Sequence, residues 1–368
     1  MTKKFALLVL FLSIISCKNA ETKPQLVQQN RPKSKQSFVR DSVVVNFKNL
    51  PYKTLSEYGF FSGDMYKLQP NNNVLPYELN SPLFTDYALK KRFIWMQHGQ
   101  SASIIKEEEI FNFPNATILI KNFYYSKETY REKQIIETRL LVKTNNEWIA
   151  YPYVWNEDQT EANYKVTGKV IRVDFNNPTG EKQTINYVVP NKNQCKNCHN
   201  NNNKIAPIGP TPMNINKEIR YAEGDVENQL TKWSKEGYLS NYEDQKEYKK
   251  LPKWKNVSEN IVDRARAYLD INCAHCHNPK GSANTSGLFL SYQQENSTKL
   301  GVFKTPVATG RGSGGFVFDI YPSKASKSIF MFRMSSTEPD IMMPELGRVS
   351  VHKEGVDLIR SWIDSMPK

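Results

Sequence analysis

The chain has 368 residues, enough for two or three domains that each bury a core. Its 39% hydrophobic and 24% charged content excludes a disordered or fibrous protein. The 50 Lys and Arg against 37 Asp and Glu give a net charge of +13, but the excess forms no basic stripe or tail, which argues against a nucleic-acid partner and for an acidic one.

Residues 1–16 read as an export signal. Lys3 and Lys4 precede an apolar run, 5–15, too short to span a bilayer comfortably. It ends in Ile14-Ile15-Ser16-Cys17, which is similar to the lipobox of bacterial lipoproteins. Cleavage before Cys17 and acylation of its thiol would anchor the exported chain at a bacterial membrane, in the periplasm or at the cell surface. A plain secretory signal with a chance cysteine is the alternative. Residues 17–40 are polar and rich in Gln, Lys and Asn, as in a flexible tether. No later stretch approaches membrane-spanning length, so the body is expected to be soluble.

From 41 to 190 the pattern is that of a β-rich domain. Segments 117–124, 135–143, 147–155, 169–175 and 184–189 are rich in β-branched and aromatic residues. Asn145-Asn146 predicts a tight hairpin and 176–181 (NNPTGE) another turn. Strands at this spacing predict a β-sandwich or partial barrel. Residues 191–252 hold a first cysteine motif, a proline-broken loop at 206–214 and a helix at 225–236, followed by a charged linker. Residues 253–368 read as mainly helical with long loops. Helices are expected at 259–272, running into a second cysteine motif, at 326–335 and at 354–366.

Apart from Cys17, the other four of the five cysteines fall in two C-x-x-C-H motifs, Cys195/Cys198/His199 and Cys273/Cys276/His277, leaving none for a disulfide. Two thiols three positions apart on a helical turn can each add to one vinyl group of a haem, and the following histidine supplies an iron ligand. The motifs therefore predict two covalently bound haem c groups. A zinc site would use the same cysteines, but the pairs lie 78 residues apart and each is closed by a histidine. A thioredoxin-like redox pair lacks its βαβ surroundings.

The sixth iron ligands are less legible. For the second haem, Met343 directly precedes Pro344 in 340–347 (DIMMPELG), ahead of the last helix; Met342 and ordinary core packing are the alternatives. For the first haem the candidates are Met213, His98 and Met96, or an open position. His275, inside the second motif, is expected at the surface or the haem edge, pointing away from the iron. Arg311 or Arg333 would suit haem propionates, with solvated roles equally open. The glycine-rich 309–315 lacks the lysine of a phosphate loop. His352 is expected to cap the last helix or be exposed.

Taken together, 264–279 (RARAYLDINCAHCHNP), 328–347 (SIFMFRMSSTEPDIMMPELG) and 354–363 (EGVDLIRSWI) resemble the cytochrome c domain of a bacterial family of diheme c-type cytochrome lipoproteins. The β region (117–123, 137–142, 153–155), 207–210 (PIGP) and 228–233 (NQLTKW) fit the same family, so the resemblance covers nearly all of the chain after the tether. It implies an α+β multidomain fold: a β-sandwich-like domain at 41–190, a small haem segment at 191–252 and an all-α cytochrome c domain at 253–368. It also implies the standard roles for Cys273, Cys276, His277 and Met343, and redox partner proteins, for which a parallel β-helix lipoprotein is one candidate. Thr211-Pro212-Met213 stands where a more basic stretch is expected, so no ligand for the first haem follows from it.

The leading expectation is an electron carrier, since no catalytic constellation accompanies the two motifs. A diheme enzyme of the peroxidase-like reductase kind, with one open-coordinate haem, is the rival. A redox- or gas-sensing binding module is the third reading.

Overall fold

A computed structural model describes residues 43–126, 133–222, 224–307 and 309–368. The signal, the tether and Cys17 lie outside the described residues. The chain opens with an irregular, proline-containing stretch that includes a small ribbon, β1 (Phe61–Ser62) with β2 (Gln69–Pro70). Six antiparallel strands then form the main sheet in sequential order: β3 (Val74–Tyr77), β4 (Leu89–Met96), β5 (Thr117–Ser126), β6 (Lys133–Thr144), β7 (Glu147–Trp155) and β8 (Ala162–Tyr164). The expected hairpin at Asn145-Asn146 joins β6 to β7. Both residues take positive φ, 51° and 59°, and Thr144 pairs with Glu147, the two-residue turn that follows a right-handed strand twist.

The sheet is buried on both sides. One face carries Phe93, Trp95, Ile118, Ile120, Leu140, Val142 and Tyr153, covered by Val45, Leu55, Tyr58, Phe60 and Leu68 of the preceding stretch. The other face has two apolar ends. At one end Ile94, Met96 and Leu119 pack against Phe111, Ile215 and Trp233. At the other, Phe123, Tyr125 and Val154 meet the ribbon of β9 (Lys169–Asn176) and β10 (Lys182–Val189), whose Val173, Phe175, Ile185, Tyr187 and Val189 point inward at alternate positions. Between these ends runs one polar row: Arg92 pairs with Lys121, and Lys121 with Arg139.

The rest of the chain wraps onto this second face. Helix α1 (Lys192–Cys198) leads to a short ribbon, β11 (Asn200–Asn201) with β12 (Lys204–Ile205). Helix α2 (Pro212–Ile215) follows, then the ribbon β13 (Glu218–Arg220) with β14 (Val226–Asn228), and helix α3 (Gln229–Lys235). The helix expected over 225–236 thus starts only at Gln229. Val226–Asn228 pair with β13 instead, and the Asn228 side chain caps the helix by accepting from Leu230 N at 2.9 Å.

The expected fold class needs correction. The structure is 22% helical and 27% strand, with small sheets, and residues 253–368 are not an all-α cytochrome c domain. They hold three helices, α4 (Ile261–Leu269), α5 (Ile329–Met334) and α6 (Lys353–Asp364), with long irregular connections. Among the described residues between Asn278 and Ser328 the backbone makes 3-10 turns at Asn284–Ser286, Gly310–Ser313 and Ala325–Lys327 and two isolated bridges, Val302–Ile320 and Phe318–Ser328; the positive-φ Gly287 and Gly314 stop the first two turns from extending. Nor is there a sandwich of two comparable sheets, because irregular chain replaces the second layer on one face. What the helical pattern does deliver is a close crossing of α4 and α6. At Gly355 a Cβ would stand 2.2 Å from the Tyr268 hydroxyl, so only glycine lets the helices meet there. Ala265, Tyr268, Leu269, Ile359, Trp362 and Ile363 share the resulting core.

Candidate diheme site

The first motif is held by local chemistry. Asn191 caps α1 in a reciprocal box with Gln194, the side chain of each accepting from the other's backbone N–H. Cys195 and Cys198 lie one helical turn apart, and His199 ends the helix. The β11–β12 turn then doubles the chain back, so that Ala206 N donates to His199 O at 2.7 Å and His199 Nδ1 meets Ala206 O at 2.7 Å. A carbonyl only accepts, so Nδ1 carries the proton and Nε2 presents its lone pair. Burial pushes the His199 pKa down to about 3, keeping the ring neutral.

The second motif sits where α4 gives way to a π-helical turn, Asp270–Ala274. His277 N donates to Cys273 O at 2.9 Å, which closes the thiol-bearing turn. Its Nδ1 lies 3.2 Å from Ser286 Oγ. The serine hydroxyl donates to Ala283 O at 2.6 Å, so it must accept from Nδ1–H, again leaving Nε2 free. Burial lowers the His277 pKa to about 4. The four cysteines are free thiols, and burial raises the pKa of each, Cys198 to about 11 and Cys273 to about 12.

The loop bearing Met343 belongs to the second motif. Met343 N donates to Arg333 O at 3.1 Å, and Met343 O accepts from Arg348 Nη2 at 3.0 Å. The Arg333 charge reaches His277, the Glu345 charge reaches Cys276 and the Arg348 charge reaches Cys273, which places this loop around the second motif. Met342 and Met343 are both half-buried.

The two motifs lie side by side. Asn202 N donates to Lys280 O at 2.8 Å, and Cys276 and His275 lie near enough to disfavour charge on Cys198 and His199, respectively. The sheet supplies the floor. Lys121 of β5 acts electrostatically on Cys198, His199 and His275, and Arg139 of β6 on Cys195, Cys198 and His199. Arg139 is paired with the fully buried Glu137 (Nε–Oε2 2.8 Å), and Tyr187 donates to the same carboxylate at 2.7 Å. Lys121 has no ion-pair partner among the described residues, and the buried Arg92 Nη2 has no hydrogen-bond partner. Like charges at paired sheet positions destabilise the strand pair. The Phe123 ring offsets part of this, with the Lys121 and Arg139 cations 5.0 and 4.4 Å from its centroid.

These residues fit haem c. Each motif offers two protonated thiols on one turn and a neutral imidazole with its Nε2 free. Arg92 is a buried guanidinium with an unpartnered Nη2, and beside it the half-buried Lys121 is held well below its usual pKa by desolvation and the Arg92 and Arg139 charges; a propionate pair would supply the anion both lack. Sequence patterns had pointed to Arg311 and Arg333 for that role. Arg311 is exposed and pairs with Glu338, while Arg333 donates its Nε to Ile341 O. The sheet cations went unread although they had a signal: each breaks the apolar alternation of a strand that is buried on both faces.

Of the candidates for the first haem's other ligand, Met96 is core and His98 is exposed beyond the end of β4. Met213 is buried against Leu251 and Ala267, and its sulfur accepts from Gln293 Nε2 at 3.3 Å. His352 is the N-cap residue of α6, one of the two places expected, although its side chain makes no capping hydrogen bond. It is buried, stacked on Phe84 at 4.0 Å and hydrogen bonded to the Tyr268 hydroxyl at 3.0 Å. No family model, curated protein or solved structure matches this chain.

Proposed function

We propose that this protein is a diheme c-type cytochrome that carries single electrons between redox partner proteins, held at a membrane surface through Cys17. The observation that supports it best is the pairing of two C-x-x-C-H turns in one site, each with its histidine oriented through Nδ1 so that Nε2 is free. Cys195 and Cys198 would hold one haem and Cys273 and Cys276 the other, with His199, His277 and Met343 as iron ligands. A haem bound in this way takes up and returns one electron. The protein's own part is to orient the imidazoles, keep them neutral, and set the basic side chains of Lys121 and Arg139 beside the first motif. The net charge of +13 favours acidic partner surfaces.

The test is expression of the full chain with a c-type maturation system. Two haem c per chain are expected by pyridine haemochrome assay, with a mass gain of two haems. Cys195→Ala/Cys198→Ala and Cys273→Ala/Cys276→Ala should each retain one. Fewer than two haems on the wild type would overturn the reading. Two low-spin haems inert to CO fit a carrier, whereas a CO-binding haem would turn the reading toward a diheme enzyme or gas sensor. Cys17→Ser should move the protein from the membrane fraction to the soluble one.

A further inference from the structure

Three aromatic rings stand together at the surface of the region between α4 and α5. Phe303 is 50% exposed, and its ring meets Phe318 and Tyr321 edge to face at 5.5 and 5.6 Å, with 5.7 Å between those two. Phe318 and Tyr321 are half-buried. Phe303 also takes φ 49°, a conformation unfavourable for a bulky side chain, so the fold keeps this ring in place at a cost. Clustered aromatic surface with a polar rim marks a place that another molecule covers.

The rim is basic. From 296 to 337 the chain has six Lys and Arg and a single acid, Asp319, which is buried and paired with Lys304 at 3.3 Å. Lys299, Lys324 and Lys327 are exposed, with Lys324 Nζ 4.7 Å from the Tyr321 centroid. Lys327 adjoins Ser328, which bridges to Phe318. Asp364 of α6 reaches the same turn, where it accepts from Ala325 N at 2.8 Å.

This surface is joined to the second motif by direct contacts. Leu290 N donates to His277 O at 3.0 Å, and Phe289 N to Lys299 O at 2.9 Å, so the chain that bears Phe303 is bonded to the stretch that holds His277. Lys304, next to Phe303, lies against Gly287, where a Cβ would stand 3.3 Å from its Cε. Ser286, the residue before, is the partner of His277 Nδ1.

We infer that the Phe303–Phe318–Tyr321 cluster is the docking surface through which the second haem exchanges electrons with an acidic one-electron carrier protein. The inference rests on the diheme reading and names the partner's chemistry and its landing place. The rings supply an apolar centre, and the lysines a rim that speeds encounter with an acidic face. One electron passes between the carrier's redox centre and the second iron, one oxidised as the other is reduced, with no bond made or broken.

The experiment mixes the matured, oxidised full chain with flavodoxin hydroquinone, an acidic one-electron donor, and follows haem reduction by stopped flow. The wild-type second-order rate should fall as salt rises. Phe303→Asn removes the ring yet tolerates positive φ, and should lower the rate about tenfold at every salt concentration. Lys324→Glu with Lys327→Glu should lower it about tenfold at low salt and little at high salt. Val170→Ser, at a position 62% exposed on β9, should leave it unchanged. All variants should keep the wild-type haem content and spectrum. Fewer than two haems on the wild type would overturn the diheme reading itself. With two haems present, a wild-type rate indifferent to salt, wild-type rates in Phe303→Asn and the lysine variant, or an equal loss in Val170→Ser would overturn the docking surface. Should Phe303→Asn fail to mature, the lysine variant, altered only at exposed side chains, decides.

Discussion

His352 shows what burial does to a single titratable side chain. Stacked on Phe84 and bonded to Tyr268, it is pushed down to about 3 by burial, with Lys255, Lys90 and Arg348 adding repulsion. The native ring is therefore neutral, whereas in the unfolded chain it takes up a proton near pH 6.5. Its contribution to stability is complete above that value and is lost as pH falls toward 3, by at most about 1.4 kcal/mol per pH unit. His352→Phe keeps the stacking surface but cannot titrate. Its urea midpoint is expected to be lower than that of the wild type near neutrality and to fall less steeply between pH 6.5 and 4. Two parallel pH curves would refute this. Sequence alone does not assign such a ring. A C-x-x-C-H motif is legible because the residues that define it are adjacent, but the neighbours of His352 come from positions 84, 254 and 268, and those of His275 from position 121.

At the scale of elements, the loop between α5 and α6 depends on one guanidinium. Arg348 is buried, and its Nη2 donates to the carbonyls of Ser336 (2.8 Å) and Met343 (3.0 Å) while Nη1 donates to Ser350 (3.0 Å). Asp86 fastens the same loop to the sheet side by accepting from Val349 N and Ser350 N, each at 2.8 Å. Arg348→Ala would leave these carbonyls unsatisfied, at about 1–3 kcal/mol each where water does not enter. The expected phenotype is a second haem that loses its methionine ligand without any change to Met343. The near-infrared methionine–iron band should weaken and CO should bind, whereas Arg348→Lys should retain part of the band. A full band in Arg348→Ala would show that the loop holds itself. Strong local periodicity made β5 to β7, their Asn145-Asn146 turn and α6 readable in advance. The region 278–328 and the start of α3 were not, because there backbone partners from other segments and positive-φ glycines override the pattern.

Across the whole molecule, the sheet does what neither motif does alone. Residues 195–199 and 273–277 are far apart in the chain, yet both settle on the sheet face that carries Arg92, Lys121 and Arg139 in register. This arrangement makes the β region part of the proposed haem site, with its charges acting on both motifs. Lys121 is the best probe because it has no ion-pair partner among the described residues and acts on groups of both motifs. Burial and the neighbouring Arg92 and Arg139 hold the Lys121 ammonium well below its usual range, so it is charged there only when an anion such as a propionate stands beside it. So charged, it favours the reduced, less positive iron, and its removal should favour the oxidised form. Lys121→Met is therefore expected to lower the first haem's potential by about 30–60 mV, which for one electron corresponds to about 0.7–1.4 kcal/mol. The second haem should shift less. Because Lys121 is half-buried and a haem over the first motif would cover it further, the shift should depend on salt less than that of a surface lysine. Spectroelectrochemical titration of the two haems checks this. Equal shifts at both haems, or a shift that salt abolishes, would mean that Lys121 acts through the general surface field and not from beneath the first motif.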